Sequence, residues 1–239
     1  MITEIKKYLY DLFHPCMGEV WQLHRVTHTV SVNIRDREYE ITPERLEQLI
    51  LAYLNNDYHF VSVELIKWMV EKQRYPFKFV AVTLDDGYAD NYEEAYPIFK
   101  KYNIPFCIFL TRDFILHGHK DYRMLSSDAI SNLCSDPLCT FGSHTVSHPH
   151  LAQLPTDEQA KQIADCNQWL EPLIDRSVSV MAYPYGSYNA STLKVMPPTI
   201  SLAFAAWGGA IRKGKRYSLL QVPRVLITQE QPLIDIPVR

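Results

Sequence analysis

The chain has 239 residues, of which 24 are basic and 27 are acidic, so its formal net charge is −3. Neither sign of charge forms a long run, which argues against a nucleic-acid partner or an anionic membrane surface. The 47% hydrophobic content is ordinary for a soluble globular fold, and no apolar stretch approaches the roughly 20 residues of a membrane-spanning helix.

The amino-terminal stretch MITEIKKYLYDLFHP has apolar residues at helical spacing, but charges are scattered among them. A signal peptide has a continuous apolar segment instead, so we expect a cytoplasmic protein. The five cysteines include no C-x-x-C pair. They fit free thiols in a reducing compartment better than a disulfide framework or a zinc ribbon.

Strand-like and helix-like segments then alternate along the chain. The first strand is predicted at 18–26, and a helix at 41–56 has Thr42 as its expected N-cap and Pro43 at its first position. The following elements are a short strand before a helix capped by Ser62, a strand at 77–84, a helix at 91–103 despite Pro97, strands ending at 110 and 144, a helix at 155–174, and strands within 177–186, 201–207 and 217–227.

This alternation predicts an α/β fold with a parallel sheet and crossover helices. About seven such units follow one another without a linker. We therefore expect one domain, residues 1–239, with the architecture of a distorted, closed or nearly closed (β/α) barrel.

Two adjacent carboxylates, Asp85 and Asp86, end the predicted strand VAVTL and precede Gly87. In parallel α/β folds the functional groups collect at the carboxyl ends of the strands. Neighbouring positions there point in different directions, so one carboxylate can face a metal and the other a water or a substrate. The alternative is that Asp86-Gly87 is only a turn and Asp85 only a helix cap.

The stretch FGSHTVSHPHL places His144 and His148 four residues apart after another predicted strand. Two imidazoles and a carboxylate form the ligand set of hydrolytic metal sites with open positions, for which zinc is the usual divalent metal. Structural histidines are the alternative. We leave His150 out of the ligand set, because Pro149 and Leu151 beside it indicate a loop.

A third motif, MAYPYGSYN, follows a strand with Pro184, Tyr185 and Gly186, which are expected to form a tight turn over the same mouth. A backbone N–H there would stabilise an oxyanion, and Tyr185 with Pro184 would contact a ring-shaped substrate. Trp207 follows a further predicted strand. It is expected to line a ligand pocket or stack on a ring-shaped substrate, unless it belongs to the core.

In order and spacing, T-L-D-D-G-Y (83–88), S-H-T-V-S-H (143–148) and A-Y-P-Y-G (182–186) resemble the first three motifs of the polysaccharide deacetylases, the NodB-type carbohydrate esterases of family four. The resemblance implies a metal-dependent hydrolase that removes the acetyl group of an N-acetylated amino sugar. It also implies that Asp85 is the general base and that Asp86, His144 and His148 hold the metal.

The chain departs from the family pattern in two places. Where the third motif of many members begins with an arginine that orients the base, this chain has Ala182. Arg224, near the end of the last predicted strands, is the expected replacement, and a surface position is the alternative.

The second departure is that the carboxyl-terminal Leu-x-His, which supplies the general acid in the family, is absent. WQLHRV (21–26) resembles the leading segment of the circularly permuted branch, which includes deacetylases of biofilm poly-N-acetylglucosamine. The first and last strands of a closed barrel are neighbours, so His24 is the expected acid. A core histidine is the alternative.

The expected function is therefore metal-dependent removal of acetyl from an N-acetylated sugar or oligosaccharide. A cytoplasmic location favours a precursor of a surface polysaccharide, whether nucleotide-linked, lipid-linked or an oligosaccharide. Two other functions stay open: a degenerate barrel that binds carbohydrate without turnover, and a related hydrolase of a non-sugar amide.

Overall fold

The computed structural model describes residues 14–232. Nearly all of the amino-terminal stretch interpreted above lies outside the described residues. Among the described residues, no helix combines the length and the apolar character needed to cross a membrane.

Apolar, β-branched runs form the strands. The central strand, for example, reads FVAVTL and is buried along its whole length, as expected for a parallel strand covered on both faces. The strands are β1 Cys16–Leu23, β2 Arg25–Val26, β3 Glu40–Ile41, β4 His59–Val61, β5 Phe79–Leu84, β6 Phe106–Leu110, β7 Cys139–Ser143, β8 Val180–Ala182, β9 Leu202–Phe204, β10 Ile211–Arg212 and β11 Val225–Leu226.

Helices connect successive strands, and capping side chains set several of their starts. The Thr42 side chain accepts from the Arg45 N–H, and that of Ser62 accepts from the Leu65 N–H, as predicted. The α-helices are α1 Ile34–Arg37, α2 Pro43–Leu54, α3 Val63–Lys72, α4 Tyr96–Lys101, α5 Arg112–His117, α6 Ser127–Cys134, α7 Thr156–Ile174 and α8 Ala190–Lys194, with a π-helical turn Asn91–Ala95 before α4.

The main sheet has the order β10-β1-β5-β6-β7-β8-β9 and is parallel except for the pair of β1 and β10. Phe204 of β9 forms a parallel bridge with Val222, and β11 pairs with β1 a few residues later. The segment 222–226 thus lies between the two edges of the curled sheet. This arrangement confirms the predicted distorted (β/α) barrel.

Some predicted boundaries differ from the structure. The first strand ends at Leu23 instead of continuing to 26, because the chain then leaves β1 and Arg25–Val26 pairs with β3. Of the segment 217–227, predicted as strand, only Val225–Leu226 is a strand, because Pro223 has no N–H for a ladder. The helices α1, α5, α6 and α8 were not predicted, since elements of four to eight residues give little periodic signal.

Alternate strand residues face two different cores. Phe79 and Ala81 of β5 pack inside the barrel with Phe109 and Phe204, whereas the residues between them pack against α2, α4, α6 and α7. Asp85 continues the inward series by the period of two along a strand. The strand therefore directs the Asp85 carboxylate into the mouth of the barrel.

Candidate active site

Asp85 lies at the end of β5 with only 1% of its surface exposed. Arg224 donates to it through both terminal nitrogens, at 2.7 Å to Oδ1 and 2.8 Å to Oδ2, and Gln22 Nε2 donates to Oδ2 at 2.9 Å. Burial acts to raise the pKa of the Asp85 carboxyl, but the Arg224 guanidinium, helped by His144 and His24, holds it well below its usual range. Asp85 is therefore a fixed, ionised carboxylate.

Arg224 lies inside the barrel instead of on the surface. It is 1% exposed, its Nε donates to the Ala205 carbonyl at 2.8 Å and its Nη1 donates to Thr83 Oγ1 at 3.0 Å. A buried charge is tolerated only when it is paired and hydrogen-bonded, and Arg224 meets both conditions. Arg224 thus lies beside the Asp85 carboxylate. This is the position expected for a residue that replaces the family arginine, because this chain has Ala182 where that arginine would be.

Asp86, His144 and His148 bring three candidate metal ligands together. The two Nε2 atoms are 3.2 Å apart, and Asp86 Oδ1 lies 3.6 Å from Nε2 of His144 and 3.3 Å from Nε2 of His148. Ligand atoms around a tetrahedral ion with bonds of about 2.0–2.1 Å are separated by about 3.3–3.4 Å. The observed spacing suits a divalent ion.

The protonation of these groups also fits a metal. His144 Nδ1 lies 2.9 Å from the Ala182 carbonyl, so it donates there and leaves the Nε2 lone pair for a ligand bond. Asp86 Oδ1 is buried and has no hydrogen-bond partner in the described part of the chain. Burial is the main cause that lowers the pKa of His144 and of His148 to about 4, which keeps both rings in the neutral, metal-binding form.

Several residues of the site have a left-handed backbone. The φ angle is 73° at Asp86, 70° at Thr145, 58° at His148 and 55° at Tyr185. Such angles are uncommon outside glycine, and for a β-branched threonine they mark an outlier. Strain of this kind is retained where a function requires a particular geometry, and these residues surround one mouth of the barrel.

His24 follows β1 directly and borders the same mouth. Its Nε2 lies 3.8 Å from Asp85 Oδ2, and its ring meets Tyr39 edge-on with centroids 4.7 Å apart. Nδ1 is buried without a hydrogen-bond partner in residues 14–232. Burial lowers the pKa of His24, against the opposing effect of Asp85 and Asp86. The imidazole is thus close enough to exchange a proton with a ligand bound next to Asp85.

A cavity of about 440 Å³ opens over these side chains. Tyr185 and Trp207 border it with 51% and 60% of their surfaces exposed, which places Trp207 outside the core. Rings exposed around a polar centre suit the stacking of a sugar. The other lining residues are Gln22, His24, Arg25, Asp36, Tyr39, Glu40, Asp85, Asp86, Tyr88, Phe114, His119, Tyr122, His144, His148, Ala206 and Leu226.

The Tyr-Pro-Tyr-Gly turn positions the exposed rings. At Gly186, with a φ angle of 58°, a Cβ would come within 2.8 Å of the Trp207 ring, so only glycine permits this close approach. Pro184 is buried and is not among the residues that line the cavity, so the cavity gives no support for its predicted substrate contact. His150, left out of the ligand set, stacks on Tyr185 with centroids 4.0 Å apart.

Gln22 is a residue of the candidate site that the sequence did not predict. The only available signal was its position on β1, two residues before His24. Gln22 pairs in register with Thr83 of β5, which carries the same inward orientation, but a lone glutamine in an apolar strand gives no indication of its partner.

Known proteins resemble this chain in sequence and in fold. The sequence model of the polysaccharide deacetylases matches residues 72–197, somewhat more than half of the chain. The chain belongs to the polysaccharide deacetylase family. The expected family is therefore confirmed, whereas the expected N-deacetylase activity, the circular permutation and the individual residue roles stay predictions.

Two curated relatives show how far the likeness extends. YxkH of Bacillus subtilis, of the same family, is 27% identical over 186 residues, which cover 77% of this chain and 62% of YxkH. Poly-beta-1,6-N-acetyl-D-glucosamine N-deacetylase of Staphylococcus aureus is 26% identical over 211 residues, 81% of this chain and 70% of that protein. The chain thus spans less than two thirds of YxkH.

Two solved structures share the fold of this chain. IcaB from Ammonifex degensii superposes with a TM-score of 0.78 at 25% identity, over 89% of this chain and 92% of that chain. The Streptococcus pyogenes deacetylase PplD, in complex with acetate, gives 0.77 at 23% identity, over 90% and 94%. The barrel of this deacetylase-family chain is therefore a known architecture.

Proposed function

We propose that this chain removes acetyl groups from N-acetylated amino sugars of a surface polysaccharide. The observation that supports this most directly is the pairing, at one strand end, of the Arg224-bound carboxylate of Asp85 with the converging set of Asp86, His144 and His148. Poly-β-1,6-N-acetylglucosamine, the substrate in the name of the Staphylococcus aureus relative, is the first glycan to try.

In this proposal Asp86, His144 and His148 hold a divalent metal, most readily zinc given two imidazoles and one carboxylate. When bound, such an ion supplies Lewis-acid chemistry, polarising the amide carbonyl and lowering the pKa of the attacking water. Asp85 accepts a proton from that water as its oxygen bonds to the acetyl carbon. Arg224 and Gln22 keep the Asp85 carboxylate in position for this transfer.

The carbon–nitrogen bond then breaks, giving acetate and a free amine. An amide nitrogen leaves poorly unless it is protonated, and His24 is proposed to deliver that proton. The 3.8 Å between His24 Nε2 and Asp85 Oδ2 supports a short path from the proton-accepting group to the donor. The Tyr185 N–H is proposed to share the charge that develops on the carbonyl oxygen.

The structure favours turnover over a binding-only barrel. The absence of an arginine at Ala182 suggested degeneracy, but Arg224 donates two hydrogen bonds to Asp85. His24 stands beside the same carboxylate, which offsets the missing carboxyl-terminal histidine. These contacts support the proposal that one cavity holds the groups that hydrolysis requires.

Acetate release tests the proposal. Purified protein, loaded with one equivalent of zinc, is incubated with β-1,6-linked N-acetylglucosamine oligosaccharides and with small non-sugar acetamides. We expect acetate from the sugars and removal of activity by a chelator with recovery on zinc addition. Acetate from the acetamides alone would support the non-sugar hydrolase, and sugar binding without acetate would support the binding-only barrel.

The cytoplasmic location and the precursor substrate inferred from the amino terminus stay predictions. Cell fractionation of the native protein, with a cytoplasmic and a surface marker in parallel, checks them. Recovery at the cell surface would redirect the search toward finished polymer.

A further inference from the structure

His24 lies where the chain passes from one sheet to another. β1 of the main sheet ends at Leu23, and β2 of the two-stranded sheet begins at Arg25. The direction of the His24 side chain is set by the two peptide planes that flank its Cα atom, because φ and ψ are the only soft angles of the backbone. The contacts of these two planes therefore decide where the imidazole lies.

The peptide plane before His24 is held by the segment that follows β5. The Leu23 carbonyl accepts a hydrogen bond from the Asp85 N–H at 2.9 Å. The side chain of the same aspartate lies beside the imidazole, with Oδ2 at 3.8 Å from His24 Nε2. The residue that carries the proposed base thus also anchors the backbone next to the proposed acid.

The peptide plane after His24 is held from both of its edges. Asn91 Nδ2 donates to the His24 carbonyl at 2.7 Å, and the Arg25 N–H donates to the Tyr39 carbonyl at 3.0 Å. With both planes fixed, the φ and ψ angles of His24 are fixed as well. The direction of its Cα–Cβ bond then follows.

Asn91 is itself firmly placed. It is fully buried, its N–H donates to the Tyr88 carbonyl at 3.1 Å, and it begins a π-helical turn, a feature that is frequent at functional sites. The neighbouring Asp90 Oδ1 accepts from Asn91 Nδ2 at 3.2 Å and from the Val26 N–H at 3.3 Å. Asp90 and Asn91 together tie down the chain that leaves β1.

The Asn91 amide also carries an unpaired atom. Its Oδ1 is buried without a hydrogen-bond partner in residues 14–232. A buried polar atom without a partner lowers stability relative to an apolar group of the same shape. The hydrogen bond from Nδ2 to the His24 carbonyl gives a reason why an asparagine, and not a leucine, stands at this position.

We propose that Asn91 is a positioning residue for His24, which holds the imidazole at the distance from Asp85 that protonation of the leaving amine requires. This inference rests on the proposed function, because it takes His24 as the acid. It adds that one short segment, residues 85–91, carries the base and also directs the acid.

A double-mutant cycle of Asn91→Leu and His24→Ala tests this role. The parameters kcat and KM are measured for acetate release from β-1,6-linked N-acetylglucosamine oligosaccharides, per mole of bound zinc, which cancels any loss of folded enzyme. Leucine keeps the volume of asparagine and removes the donor, and Asn91→Ala takes its place if the leucine variant does not fold. Asn167→Leu, at another buried asparagine whose Oδ1 has no partner in the described chain, is the matched control.

We expect Asn91→Leu to lower kcat by about 10- to 100-fold with KM nearly unchanged, because a displaced acid slows the chemical step. In the His24→Ala background the same substitution should change kcat by less than about twofold, since no imidazole remains to be positioned. The control should keep the wild-type kcat. Wild-type kcat in Asn91→Leu, or losses that multiply in the double variant, would overturn the proposal.

Crystal structures of the wild type and of Asn91→Leu test the same role without turnover. We expect the variant to lose the approach of His24 Nε2 to Asp85 Oδ2, and an imidazole that keeps its wild-type position would also overturn the proposal. If the wild type released no acetate from any sugar while the imidazole moved in the variant, the result would count only against the proposed function.

Discussion

The neighbouring carboxylates of Asp85 and Asp86 lie in opposite environments. Asp85 accepts hydrogen bonds from Arg224 and Gln22. Asp86 Oδ1 has no hydrogen-bond partner among residues 14–232 and lies near two imidazole nitrogens instead. The first arrangement fixes an anion, and the second leaves room for a cation. The surroundings of Asp85 and Asp86 therefore support the roles that the family resemblance implies, a general base for Asp85 and a metal ligand for Asp86.

Replacing Asp85 by Asn should separate chemistry from metal binding. Asparagine keeps the shape of the side chain but accepts a proton far less readily, so acetate release should fall by about 10²- to 10⁴-fold. Zinc content, measured by elemental analysis, should stay near one equivalent. Wild-type turnover would contradict the base assignment, and loss of zinc would place Asp85 among the ligands.

The acid assignment predicts a loss of turnover in His24→Ala by about 10²-fold or more, with the metal retained. His117→Ala, an exposed histidine at the end of α5, is the control. A substrate with an activated, more acidic leaving amine should lose less activity, because it needs less protonation. Equal losses on both substrates would show that His24 acts by another route.

At the scale of elements, the turn after β7 depends on helix α7. Gln162 Oε1 accepts from the N–H groups of Val146 and Ser147 at 3.1 and 3.0 Å, and its Nε2 donates to Ser147 Oγ at 3.0 Å. The Gln162 side chain thus helps to hold the strained turn between Thr145 and His148, in addition to the hydrogen bond from the His148 N–H to Thr145 Oγ1 at 3.2 Å. A helix on the outside of the barrel thereby fixes the position of a candidate metal ligand.

Gln162→Leu should weaken zinc binding by about 10- to 100-fold, the usual cost of losing an outer partner of a ligand. Competition with a chromophoric chelator measures the dissociation constant directly. Gln168→Leu, exposed on the same helix, should leave it unchanged. An unaltered constant in Gln162→Leu would mean that the turn holds its shape without this residue.

The sequence predicted the elements whose signals are local. Thr42 and Ser62 cap helices where expected, and the apolar run of β5 is a buried strand. The roles of Gln162 and Gln22 were not predictable, because each depends on a partner from a distant element. The sequence pattern around a polar residue indicates which face of a helix or strand the residue lies on. It does not indicate which distant residue its side chain contacts.

For the whole molecule, Arg224 links the last segment of the barrel to its centre. The residue follows Val222, which bridges to β9, and precedes β11, which pairs with β1. Its guanidinium contacts β5 at Thr83 and the end of that strand at Asp85. Arg224 therefore belongs both to the candidate active site and to the segment that closes the barrel.

Arg224→Met should lower the free energy of unfolding by about 3–5 kcal/mol, since it leaves the Asp85 carboxylate buried without its partner. Urea denaturation measures the change. The double variant Arg224→Met, Asp85→Leu should recover part of the loss, because no buried charge remains. A loss no larger than that of the exposed control Arg216→Met would show that the ion pair contributes nothing net.

The bridging position of residues 222–226 also bears on the synthesis of the protein. A ribosome adds Arg224 only after every strand from β1 to β10, so an incomplete chain can carry all three candidate metal ligands without the guanidinium that orients Asp85. The orientation of the Asp85 carboxylate by Arg224 therefore waits until residues 222–226 have been made and have docked between the edges of the sheet.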